Sequence, residues 1–392
     1  MDSFNSENKS VKVALLLVSS LTIMSMITIS ASLPDMTNTF ADVPNGPKLV
    51  KLVLSFPGLF IALTAMMAGI VIDKFGRLKL LGFALILYAI SGTSGYWLSD
   101  IYLILAGRAL LGISVGITMT IVTTLVADYY QGQARQKFAG IQIAVMSVGG
   151  IVFITLGGVL ADINWRTPFL LYLFSLFIFP LAYLYLKEPK ERLESKKEGP
   201  KVKSPSIIWF VFFNIMIMWI LFFMIPIQIP FYLKSMGIER NALVGIAIAS
   251  STFFSAVSAF SYSRIKDQMT FKQIFCIGYF LMAVAFLIIA VGNSYVMVML
   301  GMLFAGLGMG LMIPNANVWV MQLAPAEIRG KEIGRLTTFW FLGQFLSPLI
   351  FLPFLDYFTQ SQLFYFISGI LLVLSALFFV LQFFLSKKEK LA

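Results

Sequence analysis

The sequence predicts an all-α membrane protein, with twelve transmembrane helices in two pseudo-symmetric six-helix bundles. Three observations predict it. The 392 residues are 59% hydrophobic and 12% charged, more apolar surface than a soluble chain of this length can hide. Charge-free stretches long enough to cross a bilayer recur from one end to the other. Residues of the first half also return 194 positions later: Gly107 and Gly301, Gly112 and Gly306, Gly116 and Gly310, Gly140 and Gly334, Gly149 and Gly343, Asp73 and Asp267, Arg135 and Arg329. Residues 73–149 hold 10 glycines and 267–343 hold 9, so chance gives about 1.2 coincidences where five occur. A fixed long period marks a duplicated unit, and in a membrane protein it points to a transporter of two similar halves.

The spans follow from the rule that about 20 mostly apolar residues cross the hydrocarbon core. Charge-free stretches run 13–34, 52–72, 80–99, 138–161, 167–186, 204–233, 241–263, 336–355 and 357–386, and 101–127 is broken only by Arg108. The interval 273–326 carries no charge; as helix it is about 81 Å long, two spans with a turn at Gly292-Asn293-Ser294. The expected organisation is a bundle over 1–186, a connector over 187–206 and a second bundle over 207–392. The connector has seven basic and four acidic residues and three prolines, too polar to enter the bilayer and too short for a domain.

An even number of spans puts both termini on one side. With that side cytoplasmic, inner segments carry 23 Lys and Arg and outer loops carry five, Lys48, Lys51, Arg166, Lys234 and Arg240, the distribution that orients membrane proteins. The expected location is a bacterial cytoplasmic membrane, multi-pass, with both ends inside. This distribution also explains the net charge of +11 without nucleic acid. No removable leader is read at the N-terminus, so the first apolar stretch is a span. With no histidine and a single Cys276, the common metal ligands are missing, and no carboxylate cluster suggests a membrane enzyme. No cofactor or metal is expected, and the working state is a monomer in the lipid bilayer.

The loop after the second span, Gly69-Ile-Val-Ile-Asp73-Lys74-Phe75-Gly76-Arg77-Leu78-Lys79, resembles the G-x-x-x-D-R-x-G-R-[KR] signature of the major facilitator superfamily. Physically, Gly69 permits close helix contact, Asp73 can dock at a helix end, Gly76 allows a tight turn and Arg77 can reach Asp128 at the inner end of span four. The resemblance implies a cytoplasmic latch of Gly69, Asp73, Gly76, Arg77 and Asp128 that opens as the halves rock. Lys74 and Leu78 depart from the pattern, and Thr270 replaces the glycine in the second-half echo, so the latch is expected to be asymmetric.

Arg108 is the one formal charge well inside a span, about 10 Å below its outer edge, where charge is costly. It must face a polar cavity or a partner, or else snorkel outward. Arg108-x-x-x-Gly112-x-x-x-Gly116 resembles a span-four pattern of facilitator-family exporters that is linked to proton or substrate handling. Gly140, Gly149, Gly157 and Gly158 resemble the glycine-rich antiporter signature of the 12-span drug:proton antiporter branch, although Phe153 and Ile154 replace its central Gly-Pro. Ser32-Leu-Pro-Asp35 and Trp165-Arg166 are similar to the same branch. Arg108 and Asp35 are therefore the coupling candidates. Gly112, Gly116, Gly149, Gly157, Gly158, Gly306 and Gly310 read as helix-packing positions. Polar residues within spans, namely Ser25, Thr28, Asn214, Gln228, Asn315, Asn317 and Gln344, are the cavity candidates. Pro226 and Pro230 are expected to break span seven at Gln228, and Pro314 to do the same beside Asn315.

The expected function is export of a hydrophobic or weakly cationic drug or metabolite by alternating access, in exchange for protons. The alternatives are an uptake symporter or uniporter for a small solute, or a non-transporting sensor on the same scaffold.

Overall fold

The structure, a computed structural model, describes residues 8–188 and 203–389, without the side chains of residues 69–71, 73 and 384–389. Most of the connector expected at 187–206 lies outside the described residues. Among them, twelve helical segments are long and apolar enough to cross a membrane. They are α1 (Lys9–Thr39), α2 (Gly46–Phe75), α3 (Arg77–Trp97), α4 (Ile101–Tyr129), α5 (Gly132–Ala161), α6 (Thr167–Tyr185), α7 (Ile207–Ser235), α8 (Asn241–Lys266), α9 (Phe271–Val291), α10 (Tyr295–Leu323), α11 (Arg329–Asp356) and α12 (Gln360–Glu389). The expected turn between α9 and α10 falls at residues 292–294. Because the helices alternate in direction, both ends of the described chain lie on one face, the terminal face. The opposite face is the distal face.

The 194-residue period governs the packing as well as the sequence. Both ends of α4 and α10 stand 194 residues apart. A Cβ at Gly112 would meet Pro57 O of α2 at 2.5 Å and Phe60 Cβ at 2.8 Å, whereas Gly306 lies against Ser251 O and Phe254 Cβ of α8. Gly116 lies against Ile61 and Thr64, and Gly310 against Ser255 and Ser258. Each pair of partners is the other pair shifted by 194. Without Cβ atoms, α4 can sit on α2, and α10 on α8, at backbone contact.

Contact between the first six spans and the last six obeys the same symmetry: α5 packs on α8, and α11 on α2. Gly150 of α5 faces Thr252 of α8, while Gln344 of α11 faces Gly58 of α2, again related by 194. These contacts lie toward the distal face. Nearer the terminal face, at Gly140 of α5 and Gly334 of α11, nothing lies within 4 Å of a Cβ position. Both helices therefore diverge from the opposite group on that side.

Several spans are interrupted, α3 at Thr93 and α6 and α11 by 3-10 segments among them; the breaks in α1 and α7 bear on the contact between the two groups. In α1 the α-helix stops at Ile27, passes through a 3-10 turn at Ser30–Ser32 and resumes at Leu33. In α7 the break falls at Phe223, between Ile207–Phe222 and Met224–Ser235, rather than at Gln228 as expected. Pro226 occupies the first turn of the second segment, where a missing N–H costs nothing; the break therefore precedes it. Pro230 sits inside that segment without breaking it. The carbonyl it leaves without a helical donor, Pro226 O, accepts the Ser30 hydroxyl of α1. Pro314 is likewise inside an unbroken α10, so the second expected break is absent.

Replacing Gly306 with Val forces α10 away from α8 and is expected to lower the stability of purified protein by about 1–3 kcal/mol. Gly334→Ala, in open space, should leave it unchanged or slightly raised. Thermal unfolding in detergent checks both; equal effects would show that the glycine contact does not govern packing.

Candidate functional site

The terminal face holds the expected latch region. Gly76, at φ +82° between α2 and α3, occupies a backbone region open to glycine. It lets the chain reverse directly from one helix into the next. Arg77 opens α3, and its Nε lies 3.1 Å from Asp128 Oδ2 at the end of α4, with the two side chains 12% and 8% exposed. The side chain of Asp73 and the surroundings of Gly69 lie outside what the structure describes. Glu188, unremarked in the sequence reading, completes the group. Its two carboxylate oxygens accept from the backbone N–H groups of Arg77 and Leu78, each at 2.9 Å, capping a helix end that carries partial positive charge. Arg77 Nη1 is 3.9 Å from the same carboxylate, and the Tyr129 hydroxyl donates to Lys187 O. The start of the connector is thus tied to the α3–α4 corner. Its far end docks similarly: Ser204 donates to the buried Glu332, which pairs with Arg335. The pairs Arg77–Asp128 and Glu332–Arg335 each stay within one six-span group.

In the membrane interior Arg108 is fully buried and does not snorkel. Its Nε donates to Val53 O of α2 at 3.1 Å and its Nη2 to Ser25 O of α1 at 3.0 Å. Both acceptors lack helical donors for identifiable reasons. Val53 O would be bonded by the amide of residue 57, which is Pro57, a proline inside α2. Ser25 O belongs to the last α-helical turn before the break after Ile27. The guanidinium stands over the Tyr172 ring at 5.1 Å, and Tyr172 packs on Tyr88, whose hydroxyl donates to Leu21 O. Arg108 therefore joins α1, α2, α4 and α6 by carbonyls and rings, and no carboxylate among the described residues pairs with it.

The cavity candidates separate by partner. Ser25 and Thr28 hydroxyls donate to carbonyls of their own helix, Thr22 O and Met24 O. Asn214 Oδ1 accepts from Tyr279 of α9 at 2.8 Å. Asn315 accepts from Tyr262 of α8 and donates to Phe271 O of α9. Asn317 donates to Ile313 O within α10. Ser25, Thr28 and Asn317 thus bond within their own helices, whereas Asn214 and Asn315 bond across helices and Asn214 Nδ2 has no partner among the described residues. Gln228 and Gln344 differ: both are fully buried, and neither amide has a hydrogen-bond partner among the described residues. Gln344 lies between α11 and α2 beside Gly58. Close by, Trp219 of α7 and Trp340 of α11 approach with ring centroids 5.8 Å apart, and both indole N–H groups are also without partners.

The distal face joins the two six-span groups. Asp35 Oδ1 pairs with Lys234 Nζ of α7 at 3.1 Å, and Oδ2 accepts from Asn241 Nδ2 of α8 at 2.9 Å. Asp162, following α5, accepts the backbone N–H groups of Asn241 and Ala242 at 2.5 and 3.2 Å. Lys48 of α2 pairs with Asp356 of α11 at 2.7 Å. Gly157 backs onto Thr28 O, and Gly149 onto Ser20, holding α5 against α1. Sequence reasoning singled out Asp35 but none of its partners. Asp162 and Asp356 are themselves 194 residues apart, outside the window 73–149 over which the repeat was matched.

Comparison with known proteins agrees with this architecture. The family model described as Major Facilitator Superfamily matches residues 15–269 and 240–392. The chain is 24% identical over 347 residues to the multi-drug resistance efflux pump PmrA of Streptococcus pneumoniae serotype 4, covering 85% of each chain. It is 24% identical over 326 residues to the bacillibactin exporter of Bacillus subtilis, covering 77% of this chain and 80% of that one. Among solved structures, a D-xylose-proton symporter superposes with a TM-score of 0.75 at 16% identity, covering 94% of this chain and 96% of that one.

The Arg108 geometry yields a double-mutant test. Arg108→Ala leaves two buried carbonyls without donors, each costing about 1–3 kcal/mol, and should lower the detergent melting temperature by several degrees. Pro57→Ala restores the helical donor to Val53 O. In that background the loss from Arg108→Ala should shrink by about 1 kcal/mol. An equal loss in both backgrounds would remove the Val53 bond from the account.

Proposed function

The chain belongs to the Major Facilitator Superfamily, and on that footing we propose that it exports a hydrophobic or weakly cationic drug or metabolite by alternating access, in exchange for protons. The observation that carries the reading is the asymmetry between the two faces. Polar contacts tie the six-span groups together at the distal face, while α5 and α11 stand free at Gly140 and Gly334 toward the terminal face. A central site open to one side is half of an alternating-access cycle. The positive-inside distribution assigns the terminal face to the cytoplasm, so the conformation is the inward-open one, ready to load from inside. The units that move are the bundles 1–186 and 207–392, with 187–206 as their connector.

Export is favoured over uptake by the chemistry of the interior. Unpaired amide and indole groups at Gln344, Trp219 and Trp340 offer hydrogen bonds without fixed charge, in aromatic surroundings suited to large apolar ligands. The exporters of S. pneumoniae and B. subtilis that the chain resembles support the same direction. An uptake symporter for a polar solute calls for more fixed polar groups facing the pathway. In the proposed mechanism the coupling group is Asp35, because its carboxylate bridges the two bundles. It is faced by Lys234 and Asn241, with Glu239 also 3.5 Å from Lys234. The pair with Lys234 must part for the distal face to open, which frees the carboxylate to take a proton from that side. Arg108 fixes the broken α1 ten residues before Asp35, and in the proposed cycle the corner of Gly69, Asp73, Gly76, Arg77 and Asp128 meets the second bundle when the cytoplasmic side closes.

Everted membrane vesicles should take up a lipophilic cationic dye and lose that uptake with an uncoupler. Purified protein should release protons on adding the dye. Asp35→Asn should abolish the release, and Arg108→Ala should reduce it. Unchanged proton release in both variants, with transport intact, would overturn the coupling assignment; dye uptake indifferent to the uncoupler would overturn antiport itself.

A further inference from the structure

The distal contact has a centre that neither the motifs nor the repeat singles out. Asn241 is 4% exposed and is the first residue of α8. Its backbone N–H donates to Asp162 Oδ1, and its side-chain Nδ2 donates to Asp35 Oδ2 and, at 3.2 Å, to Ala161 O. Three groups of the first six spans, from α1, the end of α5 and the residue after it, thus converge on one residue of the last six. Asp162 also bonds the next amide, Ala242, so a carboxylate of one group caps the helix N-terminus of the other. Such capping combines charge-assisted hydrogen bonds with the partial positive charge of the helix end. Directly below, Gly158 and Gly245 bring α5 and α8 to backbone contact. A Cβ at Gly158 would meet Asn241 O at 2.6 Å and Gly245 Cα at 3.0 Å.

The geometry points to Asn241 as the pin of an inter-bundle clasp, with Asp162 and the Gly158/Gly245 seam as its other parts, which holds the distal face closed and must release for that face to open. The inference rests on the alternating-access reading. The duplicated counterpart is weaker. Asp356 and Lys48 occupy the positions equivalent to Asp162 and Ala242, but they form a side-chain pair about half exposed on both sides, 48% and 52%, of a kind that contributes little. In place of Gly158 and Gly245 that seam has Leu352 and Lys51. The closed face is accordingly held mainly at α5/α8, with α2/α11 following. The buried oxygen Asn241 Oδ1 has no partner among the described residues, which limits how tightly the pin holds and favours a clasp that can release.

The test uses spin-label distances in full-length protein carrying Cys276→Ser. One label pair replaces the exposed Ser99 and Asn293 on the distal face, and another replaces Gln133 and Glu327 on the terminal face. In nanodiscs, Asn241→Ala and Asp162→Ala should each raise the population with a long distal and a short terminal distance by about threefold to tenfold. Gly158→Leu should make that population dominant, and Asp356→Ala should change it by less than about twofold. The control is Asp100→Ala, which removes a cap of the same kind from the start of α4 within one bundle and should leave both distances as in the parent. If Gly158→Leu interconverts the two faces but Asn241→Ala and Asp162→Ala match the parent, the clasp is wrong and alternating access stands. If no variant, Gly158→Leu included, moves the two distances in opposite directions, the alternating-access reading itself fails.

Discussion

In hydrocarbon a backbone carbonyl without a donor is expensive, and no water is available to relieve it. The helices of this protein violate that rule at a few places, and its most consequential side chains stand at those places. Pro57 strands Val53 O, and the break in α1 strands Ser25 O; Arg108 serves both. Pro230 strands Pro226 O, and Ser30 of the broken α1 serves it from the other six-span group. A proline or a break opens a polar gap in one helix, and a side chain of another helix closes it. Tertiary contacts in the apolar interior are therefore specified where secondary structure is incomplete.

This constraint changes how Arg108 is understood. A lone charge deep in a span suggests a cavity or an ion partner; no carboxylate among the described residues pairs with Arg108, and its Nη1 is buried without a hydrogen-bond partner among them. The guanidinium is bound by two carbonyls and an aromatic face, which is one way a buried cation can be accommodated. The residue joins the broken α1 to α2 and so sets where Asp35, at the far end of that break, can lie. Structural and mechanistic roles are linked through helix geometry.

The duplication explains both symmetry and departure from it. Packing glycines recur with their partners because a helix seated at backbone contact tolerates no side chain at that position in either half. At the two inter-group seams the symmetry is only partial. One has Gly158 and Gly245 in backbone contact with a capped helix end; the other has Lys51, Leu352 and an exposed ion pair. The asymmetry expected on the terminal face from the missing glycine at Thr270 thus has a distal equivalent, built from different residues.

The spans, their number, the turn at 292–294 and the repeat were legible in the sequence, because hydrophobic length and small-residue spacing are local properties imposed by the bilayer. The pairing of Arg77 with Asp128 was legible too, because Arg77 opens a span at the face where Asp128 ends another. The donors and acceptors that meet across helices were not. Asn214 and Asn315 bond to tyrosines of α9 and α8 far off in sequence, and Asn241, Asp162 and Glu188, which belong to no motif, converge on helix termini. Sequence alone determined which segments lie in the membrane and that the unit is doubled. Only the tertiary structure decided which orphaned carbonyl or helix end each polar side chain satisfies, because that depends on the relative placement of helices tens to hundreds of residues apart.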